Sequence, residues 1–203
     1  MAGGKHDPHN TTSLFNGLDK SGWTEGSNNQ GEWKVINGIL TGIGGGSPGK
    51  AAILDCDRRN LTNFTLRAKI LNSDGKGKQI MVRRSFGPGT VSGYGIMVGG
   101  SETSDKTDVP VGSIYKRVNG AYNSRIDWAV FARSRPETGI GDWYVIEISA
   151  RGNRVTTTIN DVQVAEYTDL DEPFASGEIG LYCRSNSTIS YREVSITSFE
   201  DKK

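Results

Sequence analysis

Alternation of apolar and polar residues runs through most of this chain, and it limits the fold more than any other feature. In "FTLRAKIL" (64–71), phenylalanine, leucine, alanine and isoleucine alternate with threonine, arginine and lysine. Roughly a dozen segments of this kind follow one another, with turn residues between them. A period of two is the repeat of a β-strand that buries one face. Two such sheets must cover each other, so the sequence predicts an all-β sandwich of the jelly-roll type.

Length and glycine content fit one such sandwich. The chain has 203 residues, which is within the single-domain range for β-sandwiches. Its 27 glycines suit many short strands joined by sharp turns, and no helix of ordinary length is expected. We therefore predict a single jelly-roll domain at 13–203, preceded at 1–12 by a disordered leader or an artificial start.

Charge and hydropathy exclude two classes of partner. The chain carries 24 basic and 23 acidic residues, a net charge of +1, so it lacks the broad positive field that draws nucleic acid or an anionic membrane. No apolar stretch approaches the roughly 20 residues that cross a bilayer. The polar start "MAGGKHDPHN" has no apolar run of a signal peptide, so an export signal would have been removed before it. Any recognition through charge must be local.

Cysteine and histidine positions argue against a zinc site. Cys56 and Cys183 lack the spacing of metal ligands, and His6 and His9 both fall in the polar leader. Each cysteine follows a leucine two residues before it in an alternating segment, so both thiols are expected to face the core. A buried disulfide and two inert free thiols both remain open.

Turn residues predict two hairpins and raise the question of calcium. Gly152-Asn153 and Asn160-Asp161 are typical of two-residue turns between antiparallel strands. The turns "NSDGKG" (72–77) and "DLDE" (169–172) are rich in side-chain oxygens, so they are candidates for structural calcium. Neither has the full spacing of a calcium loop, and ordinary turns are favoured. No cofactor is predicted.

Several motifs together resemble one known family. They are "SLFNGLDKSGW" (13–23), "GEWKVINGILTGIGGG" (31–46), "NFTLRAKI" (63–70), "GSIY" (112–115), "GDWYVIEISARGNRVTTTINDVQVAEYTD" (141–169) and "GEIGLYCRSNSTISYREVSI" (177–196). In their order and spacing they resemble the 3-keto-disaccharide hydrolase domains. That resemblance implies a concanavalin-like jelly roll in exported bacterial proteins, periplasmic, cell-surface or extracellular, that act on carbohydrate. The implied substrate is a glycoside whose sugar carries a carbonyl at carbon 3.

The resemblance also implies a reaction whose machinery this chain keeps only in part. A carbonyl at carbon 3 acidifies the neighbouring C–H, so a base that removes this proton leads to loss of the glycosidic bond by elimination. The family's pattern implies a glutamate at the position of Gly95 and a histidine at the position of Arg184. Its arginine is kept as Arg83, and its asparagine is replaced by Tyr144. The sequence therefore leaves open whether the chain is an enzyme.

Alternation also places arginines and tyrosines together on one face. If the leucine and cysteine of "IGLYCR" face the core, Tyr182 and Arg184 face outward, and the same argument turns Tyr115 and Arg117 outward. Gly95 is expected to leave open space above its strand. Aromatic faces suit sugar rings, and guanidinium groups suit carboxylate or sulfate oxygens, although solvated charges and tyrosines that merely cover the sheet are the alternative. The candidate substrate-binding residues are Arg83, Tyr115, Arg117, Trp128, Tyr182 and Arg184. The tryptophans of the family motifs, Trp23, Trp33 and Trp143, are instead expected to serve packing.

Two functions of different classes follow. In the first, a carboxylate from a loop, Glu102 or Asp127, acts as the base, Tyr115 acts as the acid and arginines stabilise the developing negative charge. In the second, the domain is a non-catalytic carbohydrate-binding module that has lost the family's base. Because arginine stays protonated, clustered guanidinium groups need an anionic partner. Loop carboxylates at 102, 105, 108 or 127 can supply it; otherwise the surplus charge favours an acidic glycan, such as a uronate or a sulfated sugar.

Overall fold

The fold comes from a computed structural model, which describes residues 10–74, 77–87, 90–102, 108–121, 128–133, 138 and 140–199, without the side chains at 74, 101 and 102. This part of the chain forms 17 strands and no α-helix. None of it is a helix long and apolar enough to cross a membrane. The strands are β1 (Thr11–Ser13), β2 (Trp23–Glu25), β3 (Glu32–Ile36), β4 (Ile39–Ile43), β5 (Ala52–Cys56), β6 (Phe64–Asp74), β7 (Lys78–Gly87), β8 (Thr90–Gly99), β9 (Ser101–Glu102), β10 (Asp108–Val109), β11 (Ile114–Gly120), β12 (Trp128–Val130), β13 (Trp143–Arg151), β14 (Arg154–Ile159), β15 (Val162–Thr168), β16 (Glu178–Cys183) and β17 (Thr188–Ser198).

Two antiparallel sheets contain almost all of these strands. The eight-stranded sheet has the order β15-β14-β13-β6-β17-β4-β3, and β1 pairs with β17 beside this path. The seven-stranded sheet has the order β12-β11-β8-β7-β16-β5-β2, and β9 and β10 form a separate two-stranded ribbon. Because neighbouring strands are often distant in the chain, the connections pass repeatedly from one sheet to the other. The predicted jelly-roll sandwich is confirmed.

Alternation along the strands builds the core between the sheets. Leu66 and Ile148 from the eight-stranded sheet meet Ile80, Ile96 and Leu181 from the seven-stranded sheet, and all five are fully buried. Full burial of an aliphatic side chain stabilises the fold by about 1.5–3 kcal/mol relative to exposure. These inward positions fix which residues of the same strands face away from the core.

The two cysteines lie in this core. Cys56 and Cys183 are both buried, which confirms their predicted placement, and both are free thiols rather than a disulfide. Burial raises the pKa of Cys183 to about 11 and also raises the pKa of Cys56. Because the thiolate is the reactive form, both cysteines are expected to be inert at neutral pH.

Both predicted hairpins are present. Gly152 has a φ of 53° in the turn between β13 and β14. Asn160 and Asp161 have φ values of 46° and 66° between β14 and β15, the left-handed conformation that a two-residue hairpin requires. At the start of the chain, Thr11 already pairs with β17, so strand pairing begins before the predicted domain boundary at residue 13.

Candidate functional site

The side of the seven-stranded sheet that faces away from the core carries most of the predicted site residues, and we call it the outer face. Because Ile80, Ile96 and Leu181 point inward, their neighbours along each strand point outward. The register sets five outward positions side by side across five strands: Tyr115, Gly95, Met81, Gly180 and Asp55.

Tyr115 lies across Gly95. Its ring fills the space that the missing Cβ leaves, so a Cβ added at Gly95 would overlap the ring. The Tyr115 hydroxyl donates to Oε1 of Gln79 at 2.6 Å, and Trp128 packs edge-on with 5.4 Å between ring centroids. The expectation of open space above Gly95 is therefore wrong, because a long side chain from the neighbouring strand occupies that space.

The environment of Tyr115 keeps its hydroxyl protonated. Burial raises its pKa to about 12, although the positive charge of Arg117 opposes the rise. The hydroxyl proton is directed at Gln79. At neutral pH, Tyr115 is therefore a neutral hydrogen-bond donor, and as an acid it would first have to release Gln79.

Arg84, which the sequence analysis overlooked, lies across the second glycine of this row. Its guanidinium occupies the space above Gly180 and forms an ion pair with Asp55 on the strand beyond. It also lies 4.4 Å from the centroid of the Phe86 ring. Because Arg84 is 2% exposed, its charge needs such a counter-charge, and Asp55 and Arg84 act as one unit.

Arg83, a predicted binding residue, does not lie on the outer face beside Arg84 and Asp55. A β-bulge interrupts the register of β7 with β8 at this point, and Arg83 adopts a φ of 49°. Its guanidinium donates to the backbone carbonyls of three residues outside the strands of this sheet: Thr62, Gly152 and Phe174. Its predicted placement is corrected accordingly. The bulge shifts the alternation by one residue, so that Arg84 takes the outward position.

A second carboxylate of the outer face is also paired. Glu178 lies opposite Arg84 in the register of β16 and β7, and its Oε1 forms an ion pair with Arg59. Oε2 of Glu178 and Nε of Arg84 are buried, and neither has a hydrogen-bond partner among the described residues.

Tyr182, Arg117 and Arg184 make up the basic part of the outer face. Arg117 lies 5.5 Å from the centroid of the Tyr115 ring and donates to the carbonyl of Ala121 at 3.2 Å. Burial raises the pKa of Tyr182, while the positive charges of Arg184 and Arg117 oppose that rise. The structure therefore brings these three predicted residues within electrostatic range of one another, with Tyr182 half-buried and Arg184 exposed.

Aromatic side chains border the outer face. Trp128 is half-buried against Tyr115, and its ring centroid lies 6.0 Å from that of Phe131. Phe131 is 46% exposed and Phe86 is 45% exposed, so both offer apolar surface to a ligand. Of the candidate bases, Asp127 and the side chain of Glu102 lie outside the described residues.

The tryptophans of the family motifs serve packing, as predicted. Trp23 and Trp33 are buried in the core. Trp143 lies on the outer surface of the eight-stranded sheet, where the guanidinium of Arg192 stands 4.1 Å from its ring centroid.

In the "DLDE" turn (169–172), a lysine of the chain neutralises the first aspartate. Asp169 is fully buried, accepts a hydrogen bond from the Tyr94 hydroxyl at 2.6 Å and lies 2.9 Å from Nζ of Lys116. Burial opposes the charge on Asp169, but the hydrogen bonds from Tyr94 and Lys116 outweigh it and lower the pKa of the carboxyl. The ammonium group of Lys116 is thus the cation that faces this carboxylate. In "NSDGKG", Gly75 and Lys76 lie outside the described residues, and the described part of the chain brings no three His, Cys, Asp or Glu side chains together as a metal site.

Comparison with known proteins gives a family match and a shared fold. A sequence model of the 3-keto-alpha-glucoside-1,2-lyase-like domain matches residues 10–197, whereas no curated protein sequence matches the chain. Among solved structures, the carbohydrate binding module CBM66 from Bacillus subtilis is similar with a TM-score of 0.64 and 21% identity, covering 87% of this chain and 96% of that one. The exoplasmic/lumenal domain of VIP36, bound to Ca²⁺ and Man3GlcNAc, has a TM-score of 0.67 and 11% identity over 97% and 91% of the two chains. The Emp47p carbohydrate recognition domain has a TM-score of 0.60 and 10% identity over 96% and 100%. At these identities the likeness shows the fold alone.

Proposed function

Because this chain belongs to the family of 3-keto-alpha-glucoside-1,2-lyase-like domains, we propose that it binds a glycoside on the outer face of its seven-stranded sheet and does not cleave it. The observation that carries the proposal is the ring of Tyr115 above Gly95. The family resemblance implies a glutamate at that position, and a buried phenol now fills the space into which its carboxylate would project. An exported location, as the resemblance implies, belongs to the same proposal.

Elimination at a 3-keto sugar requires a base near the acidified C–H. Asp55 and Glu178 are described carboxylates of the outer face, and each is held against a guanidinium. Using either carboxylate as a base would leave its arginine without a counter-charge, which is costly where the arginine is buried. Tyr115, with a pKa raised by burial to about 12, is almost entirely protonated at neutral pH. Both histidines of the chain fall within residues 1–9, outside the described part.

Binding a sugar requires hydrogen-bonding groups and aromatic surface but no base, and the outer face has both. Nε of Arg84 and Oε2 of Glu178 are buried without a partner among the described residues, so we propose that both side chains turn toward a bound sugar, where Nε donates to one hydroxyl and Oε2 accepts from another. Tyr182 and Trp128 provide aromatic surface for the apolar face of a sugar ring. Hydrogen bonds to charged groups contribute about 1.5–3 kcal/mol each and aromatic contacts about 0.5–1.5 kcal/mol each. Two of each, about 4–9 kcal/mol together, support a dissociation constant in the micromolar to millimolar range.

Cleavage is the second candidate function, and family membership is the observation that favours it. Its candidate bases are Glu102 and Asp127. The backbone of Glu102 lies in β9, opposite Asp108 in β10. In this alternative, Tyr115 acts as the acid after its hydroxyl releases Gln79.

Binding and turnover are separated by two assays on the same sugars. Isothermal titration with 3-keto disaccharides and their unmodified parents measures binding, and chromatography of the same mixtures measures released sugar. We expect saturable binding without release. Asp55→Asn should weaken binding, whereas Asp161→Asn, in a hairpin of the other sheet, should not; the unfolding temperature of both variants is checked first. Release of sugar that disappears in Glu102→Gln or Asp127→Asn would establish the lyase instead.

A further inference from the structure

The arginines of the outer face differ in whether the chain neutralises them. Arg84 is paired with Asp55, and Glu178 is paired with Arg59. The exposed side chain of Arg184 makes no ion pair or hydrogen bond with the described part of the chain. Within the described part of the chain, its charge is therefore not neutralised.

Arg184 projects from a backbone that is closely packed. Its carbonyl lies so near to Gly44 that a Cβ at Gly44 would overlap it, and the amide of Gly44 donates to the carbonyl of Ser187 at 3.0 Å. Gly77 makes room for the aliphatic part of the arginine, because Cδ of Arg184 would lie only 2.9 Å from a Cβ at Gly77. The close contacts at these two glycines thus fix where the side chain leaves the sheet.

Arginines act electrostatically on both tyrosines of this face. The charges of Arg184 and Arg117 act on the hydroxyl of Tyr182, in opposition to the burial that raises its pKa. The charges of Arg117 and Arg84 act on the hydroxyl of Tyr115 in the same sense. Among described charged side chains, those that act on these two hydroxyls are arginines and not carboxylates. A ligand placed over Tyr182 therefore comes within electrostatic range of Arg184.

We propose that the glycan bound on the outer face is acidic, and that Arg184 takes its carboxylate or sulfate group while Tyr182 packs against the same sugar. This inference rests on the proposed function, since it names the class of glycan that the face binds. A guanidinium presents two parallel N–H groups that match two oxygens of a carboxylate or a sulfate, which a lysine cannot do. A neutral glycan offers Arg184 no counter-charge, so the arginine gains little by leaving solvent to bind it.

The test uses oligosaccharides of glucose, mannose and galactose, each as the neutral sugar, as a form ending in a uronate and as a 6-O-sulfated form. They are printed as an array, and the best-bound set is then titrated in solution at low and high salt. We expect the acidic members to bind about ten- to a hundred-fold more tightly than their neutral parent, with the difference reduced by salt. The uronate and sulfate arms show which anion is preferred.

Three variants decide whether Arg184 is responsible. Arg184→Gln should remove most of the preference for acidic sugars and leave the affinity for the neutral sugar unchanged. Arg184→Lys should retain part of the preference, because it keeps the charge but loses the paired donors. Arg154→Gln removes the same charge from strand β14 of the other sheet, where Arg154 pairs with Glu166, and should change nothing. Equal affinities for neutral and acidic sugars, or a preference that survives in Arg184→Gln, would refute this inference alone. Absence of binding to every sugar would refute the proposed function with it.

Discussion

Replacing Gly95 by alanine should drive the ring of Tyr115 out of its position. A Cβ added at Gly95 would stand 2.0 Å from Cζ of Tyr115. Carbon atoms in contact are about 3.5 Å apart, so the ring must retreat by about 1.5 Å. That movement breaks the 2.6 Å hydrogen bond to Gln79 and disturbs the edge-on contact with Trp128. Overpacking costs about 1–3 kcal/mol and the lost hydrogen bond about 1 kcal/mol, so the free energy of unfolding should fall by about 2–4 kcal/mol.

Urea denaturation followed by tryptophan fluorescence measures this change. Gly46→Ala is the matched control, because a Cβ added at Gly46 meets nothing within 4 Å. It should change the free energy of unfolding by less than about 1 kcal/mol. In a Tyr115→Ala background the ring is gone, so Gly95→Ala should then cost little. If Gly95→Ala proves as stable as Gly46→Ala, the ring does not fill this space, and the argument against a base at this position fails with it.

Three further predictions concern stability and reactivity. Arg83→Gln removes a guanidinium that donates to three backbone carbonyls, and it should lower the free energy of unfolding by about 3–5 kcal/mol in urea denaturation; an unchanged value would contradict the structural role. Asp169→Asn leaves Lys116 without its carboxylate and should cost about 3 kcal/mol at pH 7. Because the folded pKa of Asp169 is lowered, this contribution is fully present well above the unfolded value of about 3.9 and is lost as the pH falls through the lower folded pKa. The difference in stability between the two proteins should therefore shrink steadily as the pH falls below about 3.9, and a difference that stays constant there would disprove the linkage. Cys56 and Cys183 should react with a thiol reagent only after unfolding, and fast labelling of native protein would show that one of them is accessible.

Strand faces and hairpins could be predicted from the sequence because they depend on local geometry. A period of two follows from the strand itself, so alternation was enough to turn Cys56 and Cys183 inward and Tyr182 outward. The hairpin at Asn160-Asp161 was recognisable because few residue types tolerate its left-handed backbone.

Contacts between strands could not be predicted in this way. Whether a glycine leaves a hole depends on its neighbour in register, and only the structure shows that Tyr115 covers Gly95. The bulge in β7 shifts the alternation, so the outward arginine is Arg84 and not Arg83. Its partner Asp55 lies on β5, beyond the intervening β16, and no local pattern joins the two residues.

In the proposed function, the outer face of the seven-stranded sheet holds the glycan. Trp128 lies on this face against Tyr115, whereas Trp143 lies on the outer surface of the other sheet beneath Arg192. The deciding measurement is the titration of Trp128→Ala and Trp143→Ala with the same oligosaccharide. The dissociation constant should rise about three- to ten-fold in Trp128→Ala, from the loss of one aromatic contact, and should match the wild type in Trp143→Ala. Weakened binding in Trp143→Ala together with unchanged binding in Trp128→Ala would place the ligand on the opposite sheet and contradict the account.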